Sequence, residues 1–273
     1  MQFLWESISL TRPGRIMHRH VLRYLAILIV TGFCATTAQA LLPKDGRDTI
    51  TEGHRIYDRA CAWCHGSEGK GDGPSGWSIG RYAAPRPRDF TAESYKFRST
   101  PSGELPTDQD LFRTITQGIP GFMPSYRSLN EQERWQVIAY LKSLNPAFEQ
   151  EQPTPIALPS PPPLPSGNGI TNGRALYAKY ECRTCHGDNG AGDGPESKAG
   201  HLRDAHNLPI TATDLTDPSS FKNGATPHDL YRSIMSGLDG TPMPAYADQF
   251  AGQEEATWDL VWYLQSLSGQ PGR

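Results

Sequence analysis

The sequence predicts an all-α protein built from two similar halves. Three observations support this prediction: six stretches carry apolar residues at helical spacing, no stretch alternates convincingly like a strand, and one order of short motifs recurs about 121 residues later. A length of 273 residues suits two domains of ordinary size. The 24 prolines and 27 glycines indicate that much of the chain is loop or linker.

Residues 1–40 have the pattern of a secretory signal peptide. Four arginines precede the apolar run 24–34, and Ala38-Gln-Ala40 is a small-residue cleavage site. Met17 is an alternative start that would give a signal of ordinary length. The competing interpretation is an uncleaved anchor over residues 21–42, which is just long enough to cross a bilayer. Both interpretations predict export to the periplasm, as a soluble protein or one anchored to the inner membrane.

Three helices are predicted in each half. One leads into a cysteine motif, one lies in the middle, and one closes the half behind an N-cap residue such as Asn130. The predicted helices cover residues 49–61, 107–117, 130–144, 171–182, 226–236 and 253–267.

Matching motifs show that the chain is an internal duplication. Each motif keeps its residue types and its order, and the few extra residues fall between motifs, where loops absorb them. The pairs are Cys61-Ala-Trp-Cys-His65 with Cys182-Arg-Thr-Cys-His186, Gly71-Asp-Gly-Pro74 with Gly192-Asp-Gly-Pro195, Met123-Pro-Ser-Tyr126 with Met243-Pro-Ala-Tyr246, and Tyr140-Leu-Lys-Ser-Leu144 with Tyr263-Leu-Gln-Ser-Leu267.

A proline-rich segment joins the two halves. We place the first domain at residues 41–148, the linker at 149–168 and the second domain at 169–273. A polyproline-type linker is stiff, so it is expected to hold the halves apart unless their surfaces attract each other. The alternative is that the segment lies flat on one domain.

The charge of the chain gives no support to a nucleic-acid partner. Without residues 1–40, the chain has 22 basic and 28 acidic residues. Residues 41–148 hold 14 basic and 13 acidic residues, whereas residues 166–273 hold 8 and 13. The second half is the acidic one, which is consistent with different protein partners for the two halves.

Each cysteine motif is the attachment pattern of a c-type haem. Cys61 and Cys64 lie within one helical turn, so both can form thioethers to one edge of a porphyrin, and His65 then offers its imidazole to the iron. The second half repeats the arrangement with Cys182, Cys185 and His186. A lone Cys-x-x-Cys also fits a disulfide, a redox dithiol or half a zinc site. Two copies, each with the adjacent histidine and behind an export signal, favour two covalently bound haem c groups.

Elimination predicts the second iron ligand of the first domain. After residue 40 this domain contains one methionine, Met123, and one other histidine, His54. Met123 lies among glycines and prolines that indicate a loop rather than a core helix, which weakens the interpretation of this residue as core filler. His54 lies two helical turns ahead of Cys61 and is expected at the surface. Met123 is therefore the predicted ligand opposite His65.

The second domain offers more candidates, and the duplication selects among them. Met243 shares the Met-Pro-x-Tyr pattern of Met123 and follows its histidine at nearly the same distance. Met235 falls on a predicted helix and is expected in the core. Histidine ligation by His201 or His206 stays open as an alternative state, and His228 is a further candidate. Met243 is the predicted ligand opposite His186.

Histidine and methionine together would close both axial positions of each iron. Such iron has a raised reduction potential and no open position for peroxide, nitrite or oxygen. This predicts an electron carrier rather than an enzyme. The main alternative is a diheme peroxidase or small-anion oxidoreductase with one open haem site, and a gas or redox sensor is a third class.

Each half resembles a class I c-type cytochrome domain, on the evidence of the Cys-x-x-Cys-His motif, the Gly-Asp-Gly-Pro loop, the Met-Pro turn and the closing Tyr-Leu-x-x-Leu helix. The resemblance covers nearly all of residues 49–267. The chain is most similar to tandem diheme cytochromes and cytochrome subunits that donate electrons to bacterial terminal oxidases or accept them from periplasmic dehydrogenases. The resemblance implies helices around each haem, an exposed haem edge, and transient docking to oxidase, reductase or dehydrogenase subunits of a respiratory chain.

The resemblance also implies a proline carbonyl that holds the second nitrogen of each proximal histidine. Pro74 and Pro85 are the candidates in the first domain, and Pro195 and Pro209 are those in the second. A basic cluster after the first motif admits two interpretations, contact with the haem propionates or a solvated docking rim. Its members are Arg81, Arg86, Arg88, Lys96 and Arg98.

Overall fold

A computed structural model describes residues 46–80, 85–92, 94–159 and 162–269. The predicted signal or anchor segment, its alternative start Met17, and Arg81 lie outside the described residues. Within the described ranges, no helix is both long enough and apolar enough to cross a membrane.

The first domain is helical throughout its regular structure. Two long helices enclose the domain, and shorter ones carry the cysteine motif and the loops. The helices are α1 (Arg47–Ala60), α2 (Ala62–His65), α3 (Pro74–Gly80), α4 (Asp108–Gln117), α5 (Glu131–Ser143) and α6 (Ala147–Gln150).

The second domain repeats this order of helices. They are α7 (Gly169–Lys179), α8 (Arg183–His186), α9 (Pro195–Lys198), α10 (Pro227–Ser236) and α11 (Glu254–Leu267), with a 3-10 turn at Pro218–Ser220. The parts of the chain that the structure describes contain isolated bridges but no strand. The all-α prediction is confirmed, and the six predicted helices are present with ends shifted by at most a few residues.

Side-chain capping explains where several helices begin. Thr107, Asn130 and Thr226 each accept from the amide three residues later, and the acidic residue at that position accepts from the cap amide in return. These reciprocal bonds satisfy donors that the first turn of a helix leaves without partners. The helix starts are thus determined by local sequence.

Each domain is closed by its first and last long helices, which cross at a glycine. α1 packs on α5, and α7 packs on α11. A Cβ at Gly53 would overlap the carbonyl oxygen of Gln136, and one at Gly173 would overlap that of Asp259. The buried clusters at these crossings include Tyr57 in the first domain and residues of α11 in the second. Close backbone approach at the two glycines brings the cysteine motifs, which follow α1 and α7, against the core.

The linker contacts both domains. The amide of Ile156 donates to the carbonyl of Ser99 at 2.7 Å, while Ile156 and Leu158 pack against the second-domain core. His228 donates from Nε2 to the carbonyl of Pro159 at 2.8 Å. The expectation that a stiff linker holds the halves apart is therefore corrected, because the linker runs along the surfaces of both.

The two domains also contact each other directly through two arginines, of which Arg98 is buried and Arg113 is half-buried. Arg113 on α4 donates to the carbonyl and the side-chain oxygen of Asn223 at 3.0 and 2.9 Å, and pairs with Asp229 on α10 at 3.2 Å. Arg98 pairs with Asp239 at 2.9 Å. Desolvation offsets much of the attraction in ion pairs that are largely removed from water, so these pairs add little net stability.

Replacing Gly53 by Ala is expected to destabilise the protein, although Ala is the better helix former. The added methyl would force α1 away from α5, and overpacking of this kind costs about 1–3 kcal/mol. Chemical denaturation of the haem-loaded protein measures the change. Gly167→Ala is the matched control, since nothing lies within 4 Å of a Cβ placed there. Equal stability of the two variants would contradict the close crossing.

Candidate functional site

The cysteine motifs form short helical turns directly after the long helices α1 and α7. The amide of His65 donates to the carbonyl of Cys61 at 3.0 Å, and that of His186 donates to Cys182 at 2.9 Å. Each motif therefore holds two thiols and one imidazole within a single helical turn.

The thiols are suited to covalent attachment rather than to redox exchange. None of the four described cysteines forms a disulfide. Burial raises the pKa of Cys61 to about 12 and that of Cys182 to about 11. Reactive dithiols depend on an accessible thiolate, which these values disfavour. The redox-dithiol alternative is thus unsupported by the environment of the motif.

A backbone carbonyl holds each motif histidine. Nδ1 of His65 donates to the carbonyl of Arg88 at 3.0 Å, and Nδ1 of His186 donates to that of Thr213 at 2.9 Å. A carbonyl only accepts, so Nδ1 carries the proton and Nε2 keeps a free lone pair. Burial lowers the pKa of both imidazoles, which favours the neutral form that binds iron.

The prolines proposed for this role do not fill it. Arg88 and Thr213 supply the carbonyls, rather than Pro74 or Pro85 and Pro195 or Pro209. An extended segment passes each histidine, and the position at which this segment is anchored decides which carbonyl faces the imidazole. The amide of Phe90 donates to Gly69 at 2.7 Å, and that of Leu215 donates to Gly190 at 2.6 Å. In both domains the histidine's acceptor lies two residues before this anchor, as the alternation of an extended chain requires.

A buried tyrosine on each long helix fixes the turn after the histidine. The hydroxyl of Tyr57 donates to the carbonyl of Gly66 at 2.6 Å, and that of Tyr177 donates to Gly187 at 2.6 Å. The sequence reasoning missed these residues. Their signal was available, because both lie just before the cysteine motifs of the two copies.

In the first domain, one cavity brings the predicted residues together. Cys61, Cys64, His65 and Met123 all line it, and its volume is about 1390 Å³ including the space open to solvent. Much of the remaining wall is apolar, with contributions from Phe90, Leu111, Ile115, Val137 and Leu141. An apolar cavity between thiols and two iron-binding side chains fits a covalently attached haem.

The loop that carries Met123 is held at several points. Ile119 and Met123 exchange backbone hydrogen bonds at 2.8 and 2.9 Å. The amide of Tyr126 donates to Ile115 at 3.1 Å, and its hydroxyl donates to the carbonyl of Ala60 beside the cysteine motif at 2.7 Å. These bonds tie the methionine loop to both α4 and the end of α1.

The loop of Met243 repeats most of this arrangement, although the amide of Met243 donates to the hydroxyl of Thr241 at 3.2 Å instead of to the backbone. The amide of Leu238 donates to the carbonyl of Met243 at 3.1 Å, and the amide of Tyr246 donates to Ile234 at 3.0 Å. The hydroxyl of Tyr246 lies 3.5 Å from the carbonyl of Tyr180, near the second cysteine motif. Met243 is half-buried, as Met123 is.

The other candidate ligands have different surroundings. His54 is exposed and stacks on Tyr140 with ring centroids 4.6 Å apart. Met235 is buried in the second-domain core, as expected. His201 is exposed and contacts Glu196 at 3.0 Å, His206 is exposed, and His228 bonds the linker.

The basic cluster divides between two locations. Arg86, Arg88 and Lys96 line the first-domain cavity, whereas Arg98 is buried at the contact between domains. Burial lowers the pKa of Lys96 to about 8, with Arg88 adding to the effect. Among the described residues, no carboxylate lies within 4.0 Å of Arg88 or Lys96. Both side chains are half-buried, and a cation partly removed from water is stabilised by an anion, so they suit the haem carboxylates better than they suit a solvated rim.

Comparisons with known proteins identify each domain separately. A family model described as "Cytochrome c" matches residues 50–145, and one described as "Cytochrome C oxidase, cbb3-type, subunit III" matches residues 168–264. No match was found among curated proteins. A chain in the solved Kuenenia stuttgartiensis reducing HAO-like protein complex Kustc0457/Kustc0458 is 41% identical, with a TM-score of 0.71. The similarity covers 79% of this chain and 95% of that chain.

Replacing Tyr57 by Phe is expected to lower stability and to loosen the turn after His65. The Gly66 carbonyl would lose a buried donor, which costs about 1–3 kcal/mol. Thermal unfolding of the haem-loaded variant measures the loss. Tyr177→Phe should behave alike because its bond is the same length. A variant as stable as the wild type would contradict a role for the hydroxyl.

Proposed function

Because the chain belongs to the c-type cytochromes with two haem domains in tandem, we propose that it carries single electrons between protein redox partners and does not itself transform a substrate. The resemblance inferred from the motifs is confirmed, and the chain carries two covalently bound haem c groups. When bound, these groups supply a reversible one-electron iron couple.

The observation that carries the proposal is the shared cavity of His65 and Met123. Two protein donors for one iron leave no position for a small-molecule substrate, and a thioether donor raises the reduction potential. We propose Met123 and Met243 as the axial ligands opposite His65 and His186. Both loops accept at the methionine carbonyl and donate from the following tyrosine amide to the preceding helix, which supports the same role in both domains.

The chain's own residues prepare each site for electron transfer with little rearrangement. The carbonyls of Arg88 and Thr213 keep the imidazoles in one tautomer and one orientation. Tyr126 ties the first methionine loop to the end of α1, so both donor segments rest on the same helix pair. Arg88 and Lys96 supply positive charge in the first cavity, which favours the reduced state of a bound iron.

We propose that the partner is a redox enzyme for which this chain is the electron-transfer subunit. The solved relative belongs to a reducing HAO-like protein complex, and the second domain matches a subunit family of cbb3-type oxidases. Both comparisons support association with a protein redox partner, and we propose oxidase, reductase or dehydrogenase subunits of a respiratory chain. The signal-like N-terminal sequence and the c-type motifs support a periplasmic location, soluble or anchored to the inner membrane.

Carbon monoxide distinguishes this carrier from a diheme enzyme with an open haem. The dithionite-reduced protein is expected to contain two haem groups per chain and to show no spectral change when CO is added. Haem content is determined on the same sample by the pyridine haemochrome method. Rapid CO binding at one haem would overturn the proposal and direct attention to peroxide and nitrogen-oxide substrates.

Removing either proposed methionine should open one iron. Met123→Ala and Met243→Ala are each expected to bind one CO per chain in the reduced state and to lower one reduction potential, because the thioether donor is lost. Met235→Leu is the matched control, since it removes a core sulfur that lies outside the methionine loops. CO binding by the control, or its absence in the alanine variants, would contradict the ligand assignment.

A further inference from the structure

We propose that Arg98, in the first domain, is the positioning residue for the methionine loop of the second domain, residues 236–243. This inference rests on the proposed function, in which Met243 binds the second haem iron. Arg98 acts across the domain boundary, so the second site is completed only when the two domains are docked.

Arg98 reaches the loop with a fully buried guanidinium. Its side chain is 0% exposed. Nη2 donates to the carbonyl of Ser236 at 2.8 Å and pairs with Asp239 at 2.9 Å. Nε and Nη1 donate to the carbonyls of Pro101 and Tyr95, each at 2.9 Å. The guanidinium thus joins two segments of the first domain to the second methionine loop.

Asp239 is the matching anchor on the loop. Besides Arg98, its carboxylate accepts from the hydroxyl of Ser102 at 2.7 Å and from the amide of Gly103 at 2.9 Å. All three partners belong to residues 98–103 of the first domain, and the side chain of Asp239 is 15% exposed. A carboxylate held by three donors has little freedom to move while the domains stay docked.

These contacts transmit position to Met243 over a short path. Ser236 ends α10, and the loop then turns at Gly237 with a φ of 66°. The amide of Leu238, next to Asp239, donates to the carbonyl of Met243 at 3.1 Å. Arg98 therefore holds both ends of the segment 236–239. Leu238, within this segment, is the residue that bonds Met243.

The reciprocal contact, from the second domain to the first methionine loop, is weaker. Lys222 places Nζ 5.3 Å from the ring centroid of Phe122, the residue before Met123. Phe122 is 45% exposed, and cation–π contacts at exposed sites are small compared with a buried hydrogen-bonded ion pair. The second haem site is accordingly the one that depends on the neighbouring domain.

Arg113 provides an internal control for domain docking. It is also an arginine that crosses the boundary, with a side chain 15% exposed. Its partner Asn223 lies before α10 and its partner Asp229 lies in the first turn of α10, so neither belongs to residues 236–243. Loss of Arg113 weakens the contact between domains without removing an anchor of the methionine loop.

The test compares Arg98→Met with Arg113→Met in the haem-loaded full chain. The weak red absorption band of ferric methionine-ligated haem reports the ligand directly, and CO binding to the reduced protein reports an open iron. Arg98→Met is expected to lose about half of the band and to bind one CO per chain, whereas Arg113→Met keeps the whole band. Arg98→Lys should recover part of the loss, because one charged donor can still reach the loop.

Double variants assign the affected site. In a Met243→Ala background, Arg98→Met should cause no further loss of the band, and in a Met123→Ala background it should remove what remains. Asp239→Asn is the milder counterpart if Arg98→Met does not fold. It keeps the shape of the side chain, removes its charge, and is expected to weaken the band of the second haem in the same direction.

Two results would overturn the inference. The first is a complete red band in both Arg98→Met and Asp239→Asn. The second is a loss of the band in Arg113→Met as large as that in Arg98→Met, because ligation would then depend on domain docking in general and not on the Arg98 anchor. A wild-type protein that lacks the band would overturn the proposed function instead, and the two failures are therefore distinguishable.

Discussion

The bond from each buried histidine to a backbone carbonyl is the interaction on which the rest of each domain depends. It keeps Nε2 free for iron, and it operates only if an extended segment passes the imidazole in the correct register. That register depends on the anchors at Gly69 and Gly190, and the turn that follows each histidine depends on a tyrosine of the preceding long helix. The glycine crossings place those helices, so packing far from the iron determines the state of the imidazole.

The duplication preserved this arrangement while the side chains around it diverged. His65 stacks on Phe90 with ring centroids 4.5 Å apart, and Leu215 takes the equivalent place in the second domain. The second copy has an extra residue before its cysteine motif, and Glu181 there adopts a left-handed φ of 55°. The backbone bonds that hold the histidine are nevertheless the same in both domains. Because the histidine's acceptor is a backbone carbonyl in both domains, the same geometry does not require the same side chains.

Because the two domains contact each other, the linker and the basic cluster have locations that the sequence did not predict. A proline-rich segment of this length can separate two domains, yet here it lies against both, and Arg98 and Arg113 join the domains directly. Arg88 and Lys96 face the first haem cavity, while Arg98 of the same cluster faces the neighbouring domain. Basic residues that are close in sequence therefore lie at different places: two at the first haem site and one at the second domain. The two haem sites belong to one structural unit.

The sequence by itself determined the helices, their N-caps, the duplication and the attachment residues, because each of these depends on groups within a few positions of one another. The Cys-x-x-Cys-His spacing and the Thr107 and Asn130 caps are of this local kind. Only the tertiary structure decided the acceptors of the histidines and the location of Arg98. A backbone carbonyl has no side-chain signature, so Arg88 and Thr213 could not be chosen from residue types. Arg98 donates to Ser236, which lies 138 positions away in the sequence. Burial at a contact between domains depends on such distant residues, so no local sequence pattern predicts it.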